Sequence, residues 1–272
     1  MRGSRPRLSR VVLAVYAGCV AVVLILPTLV VVPVSFSARK SLTFPPDGYS
    51  TKWYRNFFTE PQWYESALFS LQIALVVAVL ATTLGTAAAL ALSSGRGRWR
   101  APTRAVLIAP MIVPGVIVAI AIFYVFIQLG LTQTMLGFVL AHTVLALPIV
   151  LVTVTASLQT FDTQLVLAAR SLGAGPVTSF VKIMLPLIAP GVLSGALFAF
   201  LTSFDEAIVS LFLAGPFSRT LPIQIYQSVT AEIDPTIAAA STLLLATTTI
   251  LMFALVLIDI TRRLRRHGES RS

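Results

Sequence analysis

The chain has 272 residues, 57% of them hydrophobic and 11% charged, and it carries a formal net charge of +10. This composition is too apolar for a soluble domain. The basic residues stand in short groups beside long uncharged runs, which is the pattern of membrane topology and argues against nucleic-acid binding. A single cysteine excludes an intrachain disulfide and a cysteine-based metal site.

The first uncharged run, residues 11–38, follows four arginines. Its strongly apolar part is too long for the core of a cleaved signal peptide, so we predict an uncleaved spanning helix over about 11–34, after a basic N-terminus of residues 1–10. The polar stretch 39–65 comes next. Its aromatic patch predicts a short helix in the lipid headgroup zone, with an aromatic cage for a cation as the alternative. The patch consists of Trp53, Tyr54, Phe57, Phe58, Trp63 and Tyr64.

Five more spans follow this interfacial stretch. Residues 105–161 carry no formal charge, but they are too long for one crossing at about 1.5 Å of rise per residue, and the polar run 128–135 divides them in two. We therefore predict an all-α integral membrane protein, with one transmembrane domain over 11–260 and a basic tail over 261–272. The six predicted spans cover about 11–34, 66–93, 105–127, 133–157, 187–213 and 235–259.

The distribution of arginine and lysine predicts the orientation of these spans. If the N-terminus is cytoplasmic, 15 of the 20 basic residues lie in cytoplasmic segments. Because cytoplasmic loops are enriched in these residues, both termini are predicted to be cytoplasmic. The stretch 158–186, between the fourth and fifth spans, is then cytoplasmic as well.

The stretch 158–186 has a helical pattern on both sides of a glycine turn. Residues 162–172 predict one short helix, GAGP at 173–176 ends it, and 177–185 predict a second short helix before the prolines of the fifth span. Small side chains at Ala168 and Ala169 suit the groove of a partner. We interpret the stretch as a docking element, with an ordinary structured loop as the alternative.

The segment AARSLGAGPVTSFVKIMLP resembles the cytoplasmic loop signature of permease subunits of binding-protein-dependent ABC importers. That signature reads Glu-Ala-Ala, three residues, Gly, nine residues, then Ile-x-Leu-Pro. The matching positions here are Ala168, Ala169, Gly173, Ile183, Leu185 and Pro186. Leu167 stands where the family usually has glutamate, so an ion pair made by that glutamate is not carried over.

Three other blocks resemble the spermidine/putrescine group of these permeases, particularly its second permease subunit. They are FPPDGYSTKWYRNFF, APMIVPGVIVAIAIF and TSFDEAIVSLFLAGPFSRTLPIQIY. The resemblance implies a type I importer permease of the bacterial inner membrane. It also implies a second permease subunit, two copies of an ATPase and an extracytoplasmic solute-binding protein. Residues 158–186 would then be the coupling loop, which transmits closure of the ATPase to the helices.

The sequence offers no catalytic chemistry of its own. It contains no GxxxxGK[ST] phosphate loop, no Ser/His/Asp arrangement and no metal-ligand spacing. We therefore predict a non-catalytic transport subunit that binds no cofactor or metal, with ATP used by the partner ATPase. His142 is predicted to be a packed or hydrogen-bonded interior residue rather than a ligand.

Two adjacent carboxylates, Asp205 and Glu206, interrupt the uncharged run 183–218. Each would cost about 2.5–3.5 kcal/mol at a lipid-facing helix centre, so both are expected to face a cavity, a partner or water. Our hypothesis is that at least one, preferably Asp205, supplies negative potential along the route of a cationic substrate. Pairing with the partner permease, or a break in the helix, is the alternative.

A second acidic pair, Glu232 and Asp234, precedes the sixth span on the predicted outer face. These residues could receive the solute-binding protein. The interpretation we favour is a helix cap, because Asp234 is followed by Pro235.

Three functions are therefore considered from the sequence. The first is ABC import of a polyamine or a similar cation. The second is the same machine with another cargo, such as iron(III), thiamine, an opine or another small organic solute. The third is a secondary transporter or channel that works without ATP, which would be expected to show internal repeats and ion-coupling residues in discontinuous helices.

Overall fold

A computed structural model describes the backbone of residues 7–94, 97–231 and 234–269, and the side chains of 11–93, 97–231, 234–254 and 256–257. Within these ranges the chain is helical apart from turns, loops and two isolated β-bridges, Ser37 with Tyr49 and Gly215 with Ser218. The all-α prediction is confirmed.

The described ranges contain twelve α-helices and one π-helical segment, Phe180–Met184. The α-helices are α1 Arg7–Ser35, α2 Lys52–Thr59, α3 Pro61–Ser94, α4 Arg100–Ile112, α5 Gly115–Gln128, α6 Met135–Gln159, α7 Gln164–Ser171, α8 Pro176–Ser179, α9 Leu185–Phe204, α10 Ile208–Leu213, α11 Leu221–Ala231 and α12 Thr236–Glu269.

Among the described residues, five helical stretches are long and apolar enough to cross a membrane, and α4 with α5 would supply a sixth. The structure differs from a straight third span over 105–127, because α4 and α5 meet at an angle of 106°. Proline explains the bend. Pro114 lacks a backbone N–H and disfavours helical backbone at the residue before it, and Val113 is extended with φ −73° and ψ 137°.

The fifth predicted span, 187–213, is also divided. Helix α9 ends at Phe204 and α10 begins at Ile208, so Asp205 and Glu206 lie in the break between them. The structure therefore confirms the alternative that these carboxylates mark a break in the helix.

The chain forms two compact units, Met1–Tyr64 with Ile225–Leu245 and Glu65–Gln224 with Ala246–Ser272. In the first unit, helix α2 packs beside the end of α1. The indole Nε1 of Trp53 donates to the carbonyl of Ser37 at 2.7 Å, and the hydroxyls of Tyr54 and Ser35 lie 2.7 Å apart.

The predicted short helix is present as α2. Of the rings in the aromatic patch, Trp53, Phe57 and Trp63 are buried in the protein, whereas Phe58 is exposed. An amphipathic pattern marks an apolar face without saying whether lipid or protein covers it. Here protein covers these three rings.

The second unit is built around α6, which packs against α9, α4 and α10. The contact with α9 is close because α9 carries Gly191 and Gly195, four residues apart, against Thr153 and Ser157 of α6. A Cβ at Gly195 would lie 2.8 Å from the Thr153 hydroxyl oxygen, too near for any larger side chain. Small residues at this spacing let two spanning helices approach each other.

Candidate functional site

Residues 158–186, the predicted coupling loop, contain the first predicted short helix as a separate element. Helix α7, Gln164–Ser171, begins beside Asp162, whose carboxylate accepts a hydrogen bond from the backbone N–H of Gln164 at 2.9 Å. A carboxylate at this end suits the helix dipole. Helix α8 begins at Pro176, where the missing N–H costs nothing because the first turn has no intrahelical acceptor.

Gly173 forms the turn between these helices. Its φ is +86°, a left-handed conformation that glycine adopts without the steric cost of a Cβ. Its N–H donates to the carbonyl of Arg170 at 3.0 Å, and the N–H of Ala174 donates to Ala169 at 3.0 Å, so the last carbonyls of α7 are satisfied. No atom lies within 4 Å of the position a Cβ would take. The requirement for glycine is therefore one of backbone conformation.

The second short helix differs from the prediction of a separate element ending near Leu185. Helix α8 continues through the π-helical segment into α9, so residues from Pro176 to Phe204 form one helical stretch. Within it, the N–H of Leu185 donates to the carbonyl of Phe180, five residues earlier. Pro186, next in sequence, cannot donate a helical hydrogen bond, and a local widening of the helix accommodates such a residue. The loop is thus continuous with the fifth span through helical backbone.

Large apolar side chains stand exposed on this loop. Leu172 is 90% exposed, Val177 75% and Leu167 53%. The residues that match the loop signature fall into two groups: Ala168 and Gly173 are exposed, whereas Ile183 and Leu185 are half-buried where the helix enters the fifth span. Ala169 is half-buried and Pro186 is exposed. The turn and α7 therefore present an apolar surface, and Ile183 and Leu185 are partly packed against the bundle.

The two carboxylates at the break of the fifth span have different surroundings. Glu206 is nearly buried, and its two carboxylate oxygens accept hydrogen bonds from the backbone N–H groups of Val209 and Ser210, each at 2.9 Å. It therefore caps α10. The Asp205 side chain is exposed. It makes no hydrogen bond or salt bridge with the described residues.

A buried histidine holds both sides of this break. His142 on α6 lies with Nδ1 2.9 Å from the hydroxyl of Ser203 in α9 and with Nε2 3.1 Å from the hydroxyl of Ser210 in α10. Nε2 is also 3.8 Å from a carboxylate oxygen of Glu206. The prediction of a hydrogen-bonded interior histidine is confirmed. Its partners lie 61 and 68 residues away in sequence and were not predicted.

The two broken spans meet beside these carboxylates. Helices α5 and α10 pack together, and Gly115, at the start of α5, lies beside Ile208, at the start of α10. Such discontinuous helices are the feature expected of a secondary transporter, so the breaks by themselves do not separate that alternative from ABC import. Pro114 and the charged pair were the sequence signals of these breaks.

Asp234 has the contact expected of a cap. Its side chain accepts a hydrogen bond from the backbone N–H of Thr236, the first residue of α12. Glu232 lies outside the described residues. Among the residues that the structure describes, no group of three or more His, Cys, Asp or Glu side chains is arranged to hold a metal ion.

Comparison with known proteins gives a family match over residues 81–266, to the family described as binding-protein-dependent transport system inner membrane component. The chain is 33% identical to the spermidine/putrescine transport system permease protein PotC of Haemophilus influenzae, over 88% of this chain and 92% of that protein. It is 31% identical to PotC of Escherichia coli strain K12, over 86% of this chain and 89% of that protein.

A solved structure extends the likeness to the fold. A bacterial ABC transporter involved in the import of the acidic polysaccharide alginate superposes with a TM-score of 0.67, over 97% of this chain and 99% of that one, at 16% sequence identity. At this identity the likeness concerns the fold alone, and it confirms the type I importer permease fold.

Proposed function

The chain belongs to the family of binding-protein-dependent transport system inner membrane components, and from that premise we propose that it forms, with a second permease subunit, an ATP-driven pathway importing a polyamine. The observation that supports a polyamine as the cargo is the match to spermidine/putrescine permeases along nearly the whole chain. Family members of this kind are non-catalytic transport subunits.

The proposed orientation places both termini and the coupling loop in the cytoplasm. Its support is the excess of arginine and lysine on that side. An ATPase dimer would dock there on the exposed apolar residues of α7 and the turn, among them Leu172 and Val177. Large exposed apolar side chains on a folded element are typical of a protein interface. ATP would be bound and hydrolysed by that partner.

The coupling loop would act as a stiff lever on the fifth span. Its second short helix runs without interruption into α9, so a displacement at the ATPase contact would reach Phe204 and the break beside it. ATP binding and a loaded binding protein would favour the outward-open state, and hydrolysis would return the inward-open state. Ile183, Leu185 and Pro186 lie in this connection.

Asp205 would contribute negative potential along the substrate route. The side chain is exposed at the C-terminal end of α9, where the helix dipole also favours a positive charge. Glu206 would have a supporting role, because its carboxylate is engaged in capping α10. A solute-binding protein would deliver cargo at the outer face, where Glu232 and Asp234 are candidate contacts.

Cargo is tested by uptake of radiolabelled spermidine into proteoliposomes holding the assembled complex and its binding protein. We expect unlabelled spermidine or putrescine to suppress uptake, and iron(III), thiamine and an opine to leave it unchanged at equal concentration. The control is the same complex without binding protein. Absence of binding-protein-dependent spermidine uptake, together with such uptake of labelled iron(III), thiamine or an opine, would replace the cargo while keeping the import machinery.

A further inference from the structure

A cavity of about 550 Å³ lies in the second unit, where the end of α3, the beginning of α4 and the end of α6 come together. Its volume falls within the range of about 300–1,000 Å³ that is usual for small-molecule sites. Five of its ten lining residues are apolar. The other five are Ser93, Arg100, Arg104, Thr155 and Gln159.

The polar side of the cavity is strongly basic. Arg100 and Arg104 are four residues apart on α4 and therefore project from the same face of that helix. None of the ten lining residues is acidic. The first turn of α4 has no acidic residue either, and no side chain caps it. The arginines thus add positive charge where the helix dipole is already positive, an arrangement that an anion stabilises.

The same charge excludes the proposed cargo from this cavity. A polyamine would meet two guanidinium groups and no carboxylate among the lining residues. The cavity is therefore distinct in its chemistry from the break at Asp205, and it calls for an anionic ligand with an apolar part.

We propose that this cavity binds the phosphate of an anionic phospholipid headgroup, with the glycerol and the start of the acyl chains against the apolar wall. The assignment rests on the cytoplasmic orientation included in the proposed function. Arginine recognises phosphate with paired hydrogen bonds, and Ser93, Thr155 and Gln159 offer further donors. Basic pockets between spanning helices at the cytoplasmic side are typical sites of such headgroups.

The position of the cavity connects the lipid to coupling. Its lining includes Leu158 and Gln159, the last residues of α6, which are followed after four residues by α7 of the coupling loop. A bound headgroup would tie α4 to the end of α6. It would thereby stiffen the base from which the coupling loop begins.

The test is native mass spectrometry of the purified full complex, incubated with phosphatidylglycerol or, for comparison, zwitterionic phosphatidylethanolamine. We expect selective retention of phosphatidylglycerol. The double variant Arg100→Gln with Arg104→Gln should bind phosphatidylglycerol about 30-fold more weakly, roughly fivefold for each charge removed. Arg98→Gln is the matched control, because Arg98 belongs to the same basic segment but lies over the Trp99 ring and does not line the cavity.

If the double variant does not assemble, Arg104→Lys and Arg104→Gln replace it, with nearly normal retention expected for the lysine variant and about fivefold weaker retention for the glutamine variant. Equal retention of both lipids, or equal loss on Arg98→Gln, would overturn the proposal. Displacement of phosphatidylglycerol by millimolar inorganic phosphate would also overturn it, since the site would then serve a free anion. The experiment measures lipid binding and not transport. Its result therefore does not depend on which cargo the complex imports.

Discussion

Gly173→Val is expected to abolish most ATP-coupled uptake while the subunit remains inserted and assembled. The residue has a φ of +86°, where a β-branched side chain is sterically disfavoured. For an ordinary L-residue this conformation costs about 1–2 kcal/mol, which corresponds to roughly a five- to thirtyfold change in the population of the native turn. Because the turn sets the angle between α7 and the helix continuing into α9, we expect uptake to fall by a similar factor, about five- to thirtyfold.

Two substitutions distinguish the conformational cause from a general effect of added bulk. Gly175→Val is the matched control, because Gly175 also has no atom within 4 Å of a Cβ but has an extended backbone with φ −68° and ψ 167°. Gly173→Asn should retain most uptake, since asparagine tolerates the left-handed region. The measurement is initial uptake rate per assembled complex. Normal uptake by Gly173→Val, or an equal loss in Gly175→Val, would refute the role of the turn.

Asp205→Asn is expected to raise the KM for a cationic substrate about tenfold, a loss of roughly 1.4 kcal/mol. Two opposite unit charges 4 Å apart attract by about 4 kcal/mol at an effective dielectric constant of 20. The expected loss of binding free energy is therefore about a third of the Coulomb energy of a direct ion pair. The replacement is nearly isosteric, and the Asp205 side chain makes no hydrogen bond or salt bridge with the described residues, so stability should change little. KM and kcat for uptake are measured separately in the assembled complex.

Glu206→Gln provides the comparison. An amide can replace only one of the two carboxylate oxygens that accept from Val209 and Ser210, and its NH2 group would face a backbone donor. We therefore expect loss of assembly or thermal stability in this variant, without a selective rise in KM. An unchanged KM and rate in Asp205→Asn would end the pathway hypothesis. A collapse of assembly in that variant would instead assign Asp205 a structural role.

The sequence predicted those elements that depend only on neighbouring residues, namely the spanning helices, a glycine turn and a helix cap. The uncharged runs predicted spanning helices because a helix in lipid must satisfy its own backbone and present apolar side chains. The spacing around Gly173 predicted a turn, and the backbone there requires glycine. Asp234 beside Pro235 predicted a helix cap, and the hydrogen bond to Thr236 has that form.

Tertiary packing determines the rest, and the sequence did not reveal it. Pro110 lies inside α4, whereas Pro114 lies at the sharp turn between α4 and α5, so a proline in the sequence does not by itself locate the break. The partners of His142 come from two other helices far along the chain. In the sequence, the arginines beside the cavity indicated only membrane orientation. Their position against α6 depends on the fold and was not predicted.

The central claim is that this permease is driven by ATP hydrolysis in a partner docked on the coupling loop. It is tested most directly by reconstituting the permease pair with its ATPase and binding protein, and measuring spermidine uptake with ATP, without ATP and without the ATPase. The account predicts uptake only in the complete system with ATP. Uptake that continues at the same rate without nucleotide or ATPase would contradict it and would indicate a secondary transporter or a channel.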